Sequence, residues 1–557
     1  MPGGLLNIIS EGNNNVILTG NPTKTFFAVT YSKYTNFGLQ KFRLDHDKGS
    51  SDLRLTNDSV YKFKVKRYAE LLMDTYLVLT LPNIWSPIYN PCSNTGNVWA
   101  PYDFKWIKDI GTNIIREVEI TCGSLTLMKY SGDYLAAMVD RDFSTEKKDL
   151  FNKMTGNIDK LNDPASTFGR SNCYPSAYCT DNPVGADPSI RARTLYIPIN
   201  SWFTLDSRCA FPLISLQYNE IEITVTLRPI QEIIQIRDVF DPANNFPYIQ
   251  PDFTQPQNQI YRFLQSPPSA LLDPIYYENQ TNTWNADIHL MSTYCFLSKE
   301  EAALFAAKDQ IYLVKDVFKY NFENVTGSSR VKLTSSTGMV SSWMFYLQRN
   351  DVNLRNEWSN YSNWPYSSPP QDISPAPNTI PNVSVLDASG VGIYLGPRTN
   401  PGIFGKNTGF FYTGDFNSEN EKDILITMGI LLNGEYRENT LTRGIFDYIE
   451  KYTRTQGSAK EGLYCYNFCL NTNPFDYQPS GALNMSKFKT IEMEITTNAP
   501  IFSQQNFSVI CDNTGNPIGI NKQNWRLYEY NYNLTVFEER YNILSFIGGN
   551  CGMLYAR

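Results

Sequence analysis

Leu213-Ile214-Ser215-Leu216-Gln217-Tyr218-Asn219-Glu220-Ile221-Glu222-Ile223-Thr224-Val225 is met again, without gaps, 270 residues later as Leu483-Asn484-Met485-Ser486-Lys487-Phe488-Lys489-Thr490-Ile491-Glu492-Met493-Glu494-Ile495. Leu213/Leu483, Ile221/Ile491 and Glu222/Glu492 are identical, and Tyr218/Phe488, Ile223/Met493 and Val225/Ile495 are alike. Each copy alternates apolar and polar residues, the period of a half-buried strand. A helical stretch after a strand and a Gly turn also occurs once in each half, at Asp133–Met154 and Thr442–Tyr452. Together these favour two similar β domains in tandem.

Composition agrees with that reading. The 557 residues would ordinarily suggest three or four domains, or two large β units, and the repeat selects two. With 48 Lys+Arg against 55 Asp+Glu the net charge is −7, which argues against a protein that coats nucleic acid directly. Hydrophobic residues make up 42%, and 36 Tyr and 32 Phe supply a large core and adhesive surfaces, while the 18% of charged residues is below the usual quarter.

Strand signals run from end to end: Thr25–Tyr31, Lys62–Arg67, Asp74–Leu81, Ile114–Thr121, Ser124–Lys129, Thr194–Ile199, Leu213–Leu227, Asp287–Leu297, Ile311–Tyr320, Trp343–Leu347, Asp423–Leu432 and Leu534–Phe537. Lys62, Lys64 and Lys66 share one face of their strand, read as a solvated basic face. The helix Ser298–Lys308 has an N-cap serine with Glu301 three residues on. Gly156–Arg191, Asp241–Pro274 and Arg349–Gly409 are long, Pro- and Asn-rich loops of the kind that carries function. The resulting division is an arm at 1–23, a first domain at 24–240, a connector at 241–274 and a second domain at 275–557.

Catalytic vocabulary is thin. His46 and His289 are the only histidines, so any triad must use one of them; the first sits in a polar turn and the second in a strand, and both read as structural. Gly20–Thr25 lacks the spacing of a phosphate loop. Cysteines at 92, 122, 173, 179, 209, 295, 465, 469, 511 and 551 include no C-x-x-C pair and read as free thiols in a reducing compartment, with Cys295 and Cys465 buried and two or three disulfides as the alternative. No metal or cofactor is expected. Glu220/Glu222 and Glu492/Glu494 each place two acids about 6.6 Å apart on one strand face, a spacing known from glycoside hydrolysis, although the polar face of a half-buried strand explains them as well. Eight N-x-S/T sequons, at Asn57, Asn279, Asn324, Asn360, Asn382, Asn484, Asn506 and Asn533, carry little weight in so Asn-rich a chain. The N-terminal residues have neither a basic region nor a long apolar stretch, and are not expected to act as a secretory signal. The longest apolar run, Ile424–Leu432, is too short to span a bilayer.

Larger patterns carry a resemblance. Gly3-Gly4-Leu5-Leu6, Leu18-Thr19-Gly20-Asn21-Pro22, Thr25-Phe26-Phe27 and Tyr34-Thr35-Asn36-Phe37 stand at the front. Tyr294-Cys295-Phe296-Leu297-Ser298-Lys299-Glu300-Glu301 and Tyr312-Leu313-Val314 open the second half. Gly481–Ser486, Arg540-Tyr541-Asn542-Ile543-Leu544, Gly548-Gly549 and Gly552-Met553-Leu554-Tyr555 close it. In order and spacing these resemble the major capsid proteins of nucleocytoplasmic large double-stranded DNA viruses. The chain departs from that pattern at Thr337–Trp343, where relatives often carry a His-Pro turn.

The resemblance implies an all-β chain of two tandem antiparallel eight-stranded jelly rolls, a double jelly roll with long inserted loops and a few short helices. It implies a non-enzymatic structural subunit, homotrimeric in pseudo-hexagonal capsomers of an icosahedral shell, located in the virion and made in host cytoplasm. Neighbouring capsomers, minor capsid and penton proteins are the implied partners. Inner-membrane-associated proteins would be reached through residues 1–23, and no nucleic acid would be touched. Gly156–Arg191 and Arg349–Gly409 are expected to form the outward tower and intersubunit clasps. The alternative is a jelly-roll glycan-binding or glycoside-hydrolysing protein, drawing on Glu492, Glu494 and exposed Trp358 and Trp364.

Overall fold

The computed structural model describes residues 35–47, 50–89, 100–169, 174–177, 187–240, 246–268, 277–367, 384–386, 392–394, 422–476, 478–500, 508–511, 517–521 and 530–555. The expected arm at 1–23 and strand at Thr25–Tyr31 lie outside them.

Eight strands make the first sandwich: β1 (Phe37–Asp45), β2 (Ser59–Lys64), β3 (Leu71–Leu81), β4 (Ile115–Cys122), β5 (Leu125–Tyr130), β6 (Arg193–Pro198), β7 (Ile221–Leu227) and β8 (His289–Leu297). One sheet runs β1-β8-β3-β6 and the other β2-β7-β4-β5, all antiparallel. The second sandwich uses β9 (Gln310–Phe322), β10 (Ser328–Lys332), β11 (Met339–Arg349), β12 (Leu425–Leu432), β13 (Glu435–Thr442), β14 (Leu463–Asn467), β15 (Ile491–Thr497) and β16 (Tyr532–Ile547). Its sheets run β9-β16-β11-β14 and β10-β15-β12-β13. Strand for strand, this is the order of the first, so the chain is a double jelly roll. Even a minor feature repeats, because Phe211-Pro212 pairs with the start of β3 and Leu483-Asn484 with the start of β11.

The repeat seen in sequence is β7 and β15, whose inward residues Ile221, Ile223 and Val225, and Ile491, Met493 and Ile495, are buried. Leu213–Leu227 is not one strand, however: Leu213–Ser215 is a 3-10 turn, matched by Met485–Lys487. The Leu213/Leu483 identity is therefore out of structural register by two residues. Asp133–Met154 is two helices, α1 (Gly132–Asp142) and α2 (Thr145–Thr155), because Phe143 turns extended and Ser144 caps the second. α3 (Lys299–Ala307) is capped by Ser298, which accepts from the Glu301 amide as expected. Thr442–Tyr452 begins as a π turn at Ile445–Ile449 and continues as α4 (Glu450–Arg454).

Two boundaries shift. β8, expected to open the second domain, pairs with β1 and β3 and completes the first roll. Residues of the supposed connector 241–274 are likewise part of the first roll: Phe246, Phe253, Ile260 and Phe263 are buried in its core. Their apolar side chains lie among Pro and Asn, whose frequency gave the stretch the look of a linker. The link between rolls is α3.

The registers fix where the loops emerge. Leu81 at the end of β3 faces Arg193 at the start of β6, Leu227 at the end of β7 faces Ile115 and Ser59, and Asp45 faces His289. Loops 46–58, 82–114, 131–192 and 228–288 therefore leave one end of the roll, and 65–70, 123–124 and 199–220 leave the other. In the second roll, the same rule collects 323–327, 350–424, 443–462 and 498–531 at one end. Phe37, where β1 begins, faces Leu297 at the loop-poor end.

Candidate functional site: the junction between the two rolls

A strand buried on one face alternates; one buried on both does not. β11 is buried almost throughout, and its side chains divide between two cores. Val340, Trp343, Phe345 and Leu347 enter the second roll, while Met344 and Tyr346 join the core that includes the first. β16 and β14 do the same, with Val536 and Tyr464 facing one way and Phe537 and Cys465 the other. The sheet β9-β16-β11-β14 is thus shared, its outer face covered by the first roll. Phe211 meets Phe546 edge-on at 5.1 Å, and Tyr134 meets Phe537 at 5.5 Å.

α1 places the polar part of this junction. A Cβ on Gly132 would fall 1.9 Å from the Thr112 carbonyl oxygen, so only glycine lets the helix start there. Arg141, at the other end, is fully buried and donates to Asp142 at 2.7 Å, to Glu539 Oε1 at 2.9 Å and to Ser342 Oγ at 3.1 Å. Tyr134 and Ser342 also donate to Glu539, and Thr472 donates to Asp142. At the start of the same helix, Asp133 accepts from Lys319 at 2.6 Å and Tyr346 at 2.7 Å. Burial alone would raise both acids, but the Arg141 guanidinium holds Glu539 down to about 2, and the Lys319 ammonium does the same for Asp133. Burial dominates at Asp142, whose carboxyl is raised. Charged groups buried this way are tolerated when paired and hydrogen-bonded, and here the Arg141–Glu539 and Lys319–Asp133 pairs tie one roll to the other.

At the loop-rich end the second roll's segment 350–367 lies on the first roll. Trp358 Nε1 donates to the Glu232 carbonyl at 2.8 Å, Asn356 to that of Ile234 at 2.7 Å and the Tyr366 hydroxyl to that of Tyr248 at 2.7 Å. Trp358 is half-buried with Arg228 stacked 4.3 Å above its ring, and Trp364 is also half-buried. Neither is the exposed sugar platform expected from sequence; the tryptophans pack because the loop turns back onto the neighbouring roll.

The other sequence candidates stay apart. Glu494 accepts from Tyr436 at 2.8 Å and Arg330 at 2.9 Å, contacts that lower its carboxyl below the ordinary range, while Glu492 lies 4.0 Å from Arg330. Glu220 pairs with Lys64 and Glu222 with Lys62, so the lysine face and the acid face are cross-strand partners. His46 bonds Ser51 at 2.9 Å, and buried His289 bonds the Asp287 carbonyl at 2.7 Å. Cys295 and Cys465 are buried, as expected; Cys122, Cys209, Cys469 and Cys551 are also free thiols. Cys92, Cys173 and Cys179 lie outside the described residues. Among the described residues, no three His, Cys, Asp or Glu side chains are gathered as a metal site would need. Asn360 is buried and donates to Trp364.

Two family descriptions match almost end to end: "Major capsid protein N-terminus" over residues 25–262 and "Large eukaryotic DNA virus major capsid protein" over 301–552. The chain belongs to the major capsid protein family of large eukaryotic DNA viruses. It is 23% identical to the major capsid protein of Phaeocystis pouchetii virus and 23% identical to that of Chrysochromulina ericina virus, in each case over the whole of both chains. The fold is that of the Faustovirus major capsid protein (TM-score 0.58, 12% identity, 98% of each chain). It is also that of the PBCV-1 virus capsid (TM-score 0.56, 16% identity, 96% of this chain and 100% of that one). Membership places the chain in the capsid shell of the virion as a major capsid protein. In this chain the junction is the part that unites the two rolls. Sequence reasoning missed that part, although Glu538-Glu539-Arg540 between Val536-Phe537 and Tyr541 signals charges inside a core strand.

Proposed function

We propose that the chain is a non-enzymatic shell tile, three copies of which form a capsomer with six similar sandwiches at its corners. The observation that supports this is the pairing itself: two rolls of one topology, held side by side with their loop-rich ends together. A threefold axis then yields a pseudo-hexagon that can tile an icosahedral face with neighbouring capsomers. The loop-rich end faces outward, with Gly156–Arg191 and Arg349–Gly409 forming tower and clasps. β1 begins at the opposite end, so the segment before it, residues 1–23 included, starts toward the particle interior. There it would meet minor capsid and inner-membrane-associated proteins, with penton proteins bordering the capsomers at the vertices.

Obligate interfaces in such a trimer should bury roughly 2,000–5,000 Å², for which exposed Tyr436, Tyr448 and Tyr452 are suitable surface. The purified protein is expected at a native mass of about 191 kDa, three times the 63.6 kDa chain, with hexagonal arrays in negative stain. A stable monomer at micromolar concentration overturns the reading, and a particle reconstruction with the loop-rich end inside overturns the orientation.

A further inference from the structure

At the loop-poor end the junction is closed by the end of the second roll. Beyond β16, the chain turns at Gly548-Gly549 and returns as β17 (Asn550–Met553) along Leu544–Ile547. The Gly549 carbonyl accepts from the Gln217 amide at 2.9 Å, and Asn219 Nδ2 donates to Asn550 Oδ1 at 3.4 Å. A Cβ on Gly549 would lie 3.0 Å from Gln217 Cβ, so the hairpin sits tight against the first roll.

This docking sets Cys551 of β17 against Cys122, the last residue of β4. The two thiols share a hydrogen bond although 429 residues separate them in the chain. Both are free; Cys122 is buried and Cys551 is half-buried at the edge of the same core. The hydrogen bond from Cys551, helped by nearby Arg67, lowers the Cys122 thiol and favours its thiolate, the reactive form.

We propose that Cys122 and Cys551 are an oxidisable pair whose disulfide staples the C-terminal hairpin of the second roll to the first roll. The oxidant is a low-molecular-weight disulfide such as oxidised glutathione. One cysteine thiolate attacks a sulfur of that disulfide, and one small thiol leaves. The other cysteine, deprotonated, attacks the mixed disulfide at the protein sulfur and the second small thiol leaves. Two cysteines are oxidised to one cystine, one small disulfide is reduced to two thiols, and the two cysteine protons end on those thiols. In a reducing cytosol the pair stays open; in a particle outside the cell it closes. Because the link spans most of the chain, it restricts the unfolded state strongly.

The test uses the full-length assembled protein. It is incubated with excess oxidised glutathione, its remaining thiols are alkylated, and it is digested without reductant for mass spectrometry. The expected result is a peptide pair joined through Cys122 and Cys551, lost on reduction. Thermal unfolding of the oxidised wild type should occur several degrees above that of the reduced form. Cys551→Ser, at a half-buried position, should leave the fold intact and abolish both the joined peptide and the thermal gain. Recovery of Cys122 and Cys551 as separately alkylated peptides, or of either joined to a different cysteine, overturns the proposal.

Discussion

Arg141 concentrates the energetics of this fold in one side chain. Its guanidinium is buried and serves two carboxylates from different rolls, so removing it leaves Asp142 and Glu539 without their cation. Breaking one side of such a buried pair costs about 3–5 kcal/mol. Arg141→Met is expected to lower stability by that amount in a denaturant titration. The lost stability should appear as earlier exposure of the junction by hydrogen exchange in α1 and β16. The same cluster sets an acid limit. Glu539 and Asp133 titrate at about 2 in the folded protein against roughly 4 when unfolded. Their contribution is complete above about pH 5 and is lost as pH falls toward 2, because the unfolded state then binds more protons. Asp142, raised by burial, works in the opposite sense. Unfolding followed between pH 5 and pH 2 should therefore steepen toward acid, and Glu539→Gln should flatten that slope.

Elements show which parts of the architecture sequence could carry. β7 and β15 were legible because each buries one face, and Ile-x-Ile-x-Val in one and Ile-x-Met-x-Ile in the other report that directly. β11 and β16 are buried on both faces and so lack that alternation, and their pattern reports burial without saying that a second roll supplies the cover. The placement of β8 in the first roll was invisible for another reason: strand pairing across loop 228–288 is a non-local choice that leaves no local period. α1 depends on one atom's absence. Gly132→Ala would drive a methyl group into the Thr112 carbonyl; a clash of this kind costs about 3 kcal/mol or more. Loss of soluble protein on expression, with aggregation, is the expected outcome. The acids of β15 make the opposite case. Glu494 lies opposite Arg330 on a half-exposed face, where cross-strand pairs contribute about 0.2–1 kcal/mol. Glu494→Gln should change stability by no more than that, and neither it nor the wild type should hydrolyse a polysaccharide panel.

For the molecule as a whole, the division of labour is between rolls that hold their shape and loops that meet neighbours. The two jelly rolls share a sheet, a charged cluster and a C-terminal hairpin, so they act as one rigid body whose loop-rich ends point the same way. The second roll's loop 350–424 offers a direct way to separate folding from assembly, because its two ends are already together. The Asn363 amide donates to the Lys422 carbonyl at 2.8 Å. Replacing residues 368–421 by a short Gly-Ser linker therefore needs no movement of either end, and closing a shorter loop costs little or is favourable. The segment that touches the first roll, with Asn356, Trp358 and Tyr366, is retained. The excised chain is expected to unfold cooperatively within a few degrees of the intact protein, since every core residue found among the described residues is retained. Its native mass should fall from that of a trimer to that of a monomer, because the segment is assigned to the clasps between subunits. A trimer that survives the excision with unchanged dissociation behaviour would remove the clasp role from this loop and leave the joints between subunits to the roll surfaces themselves.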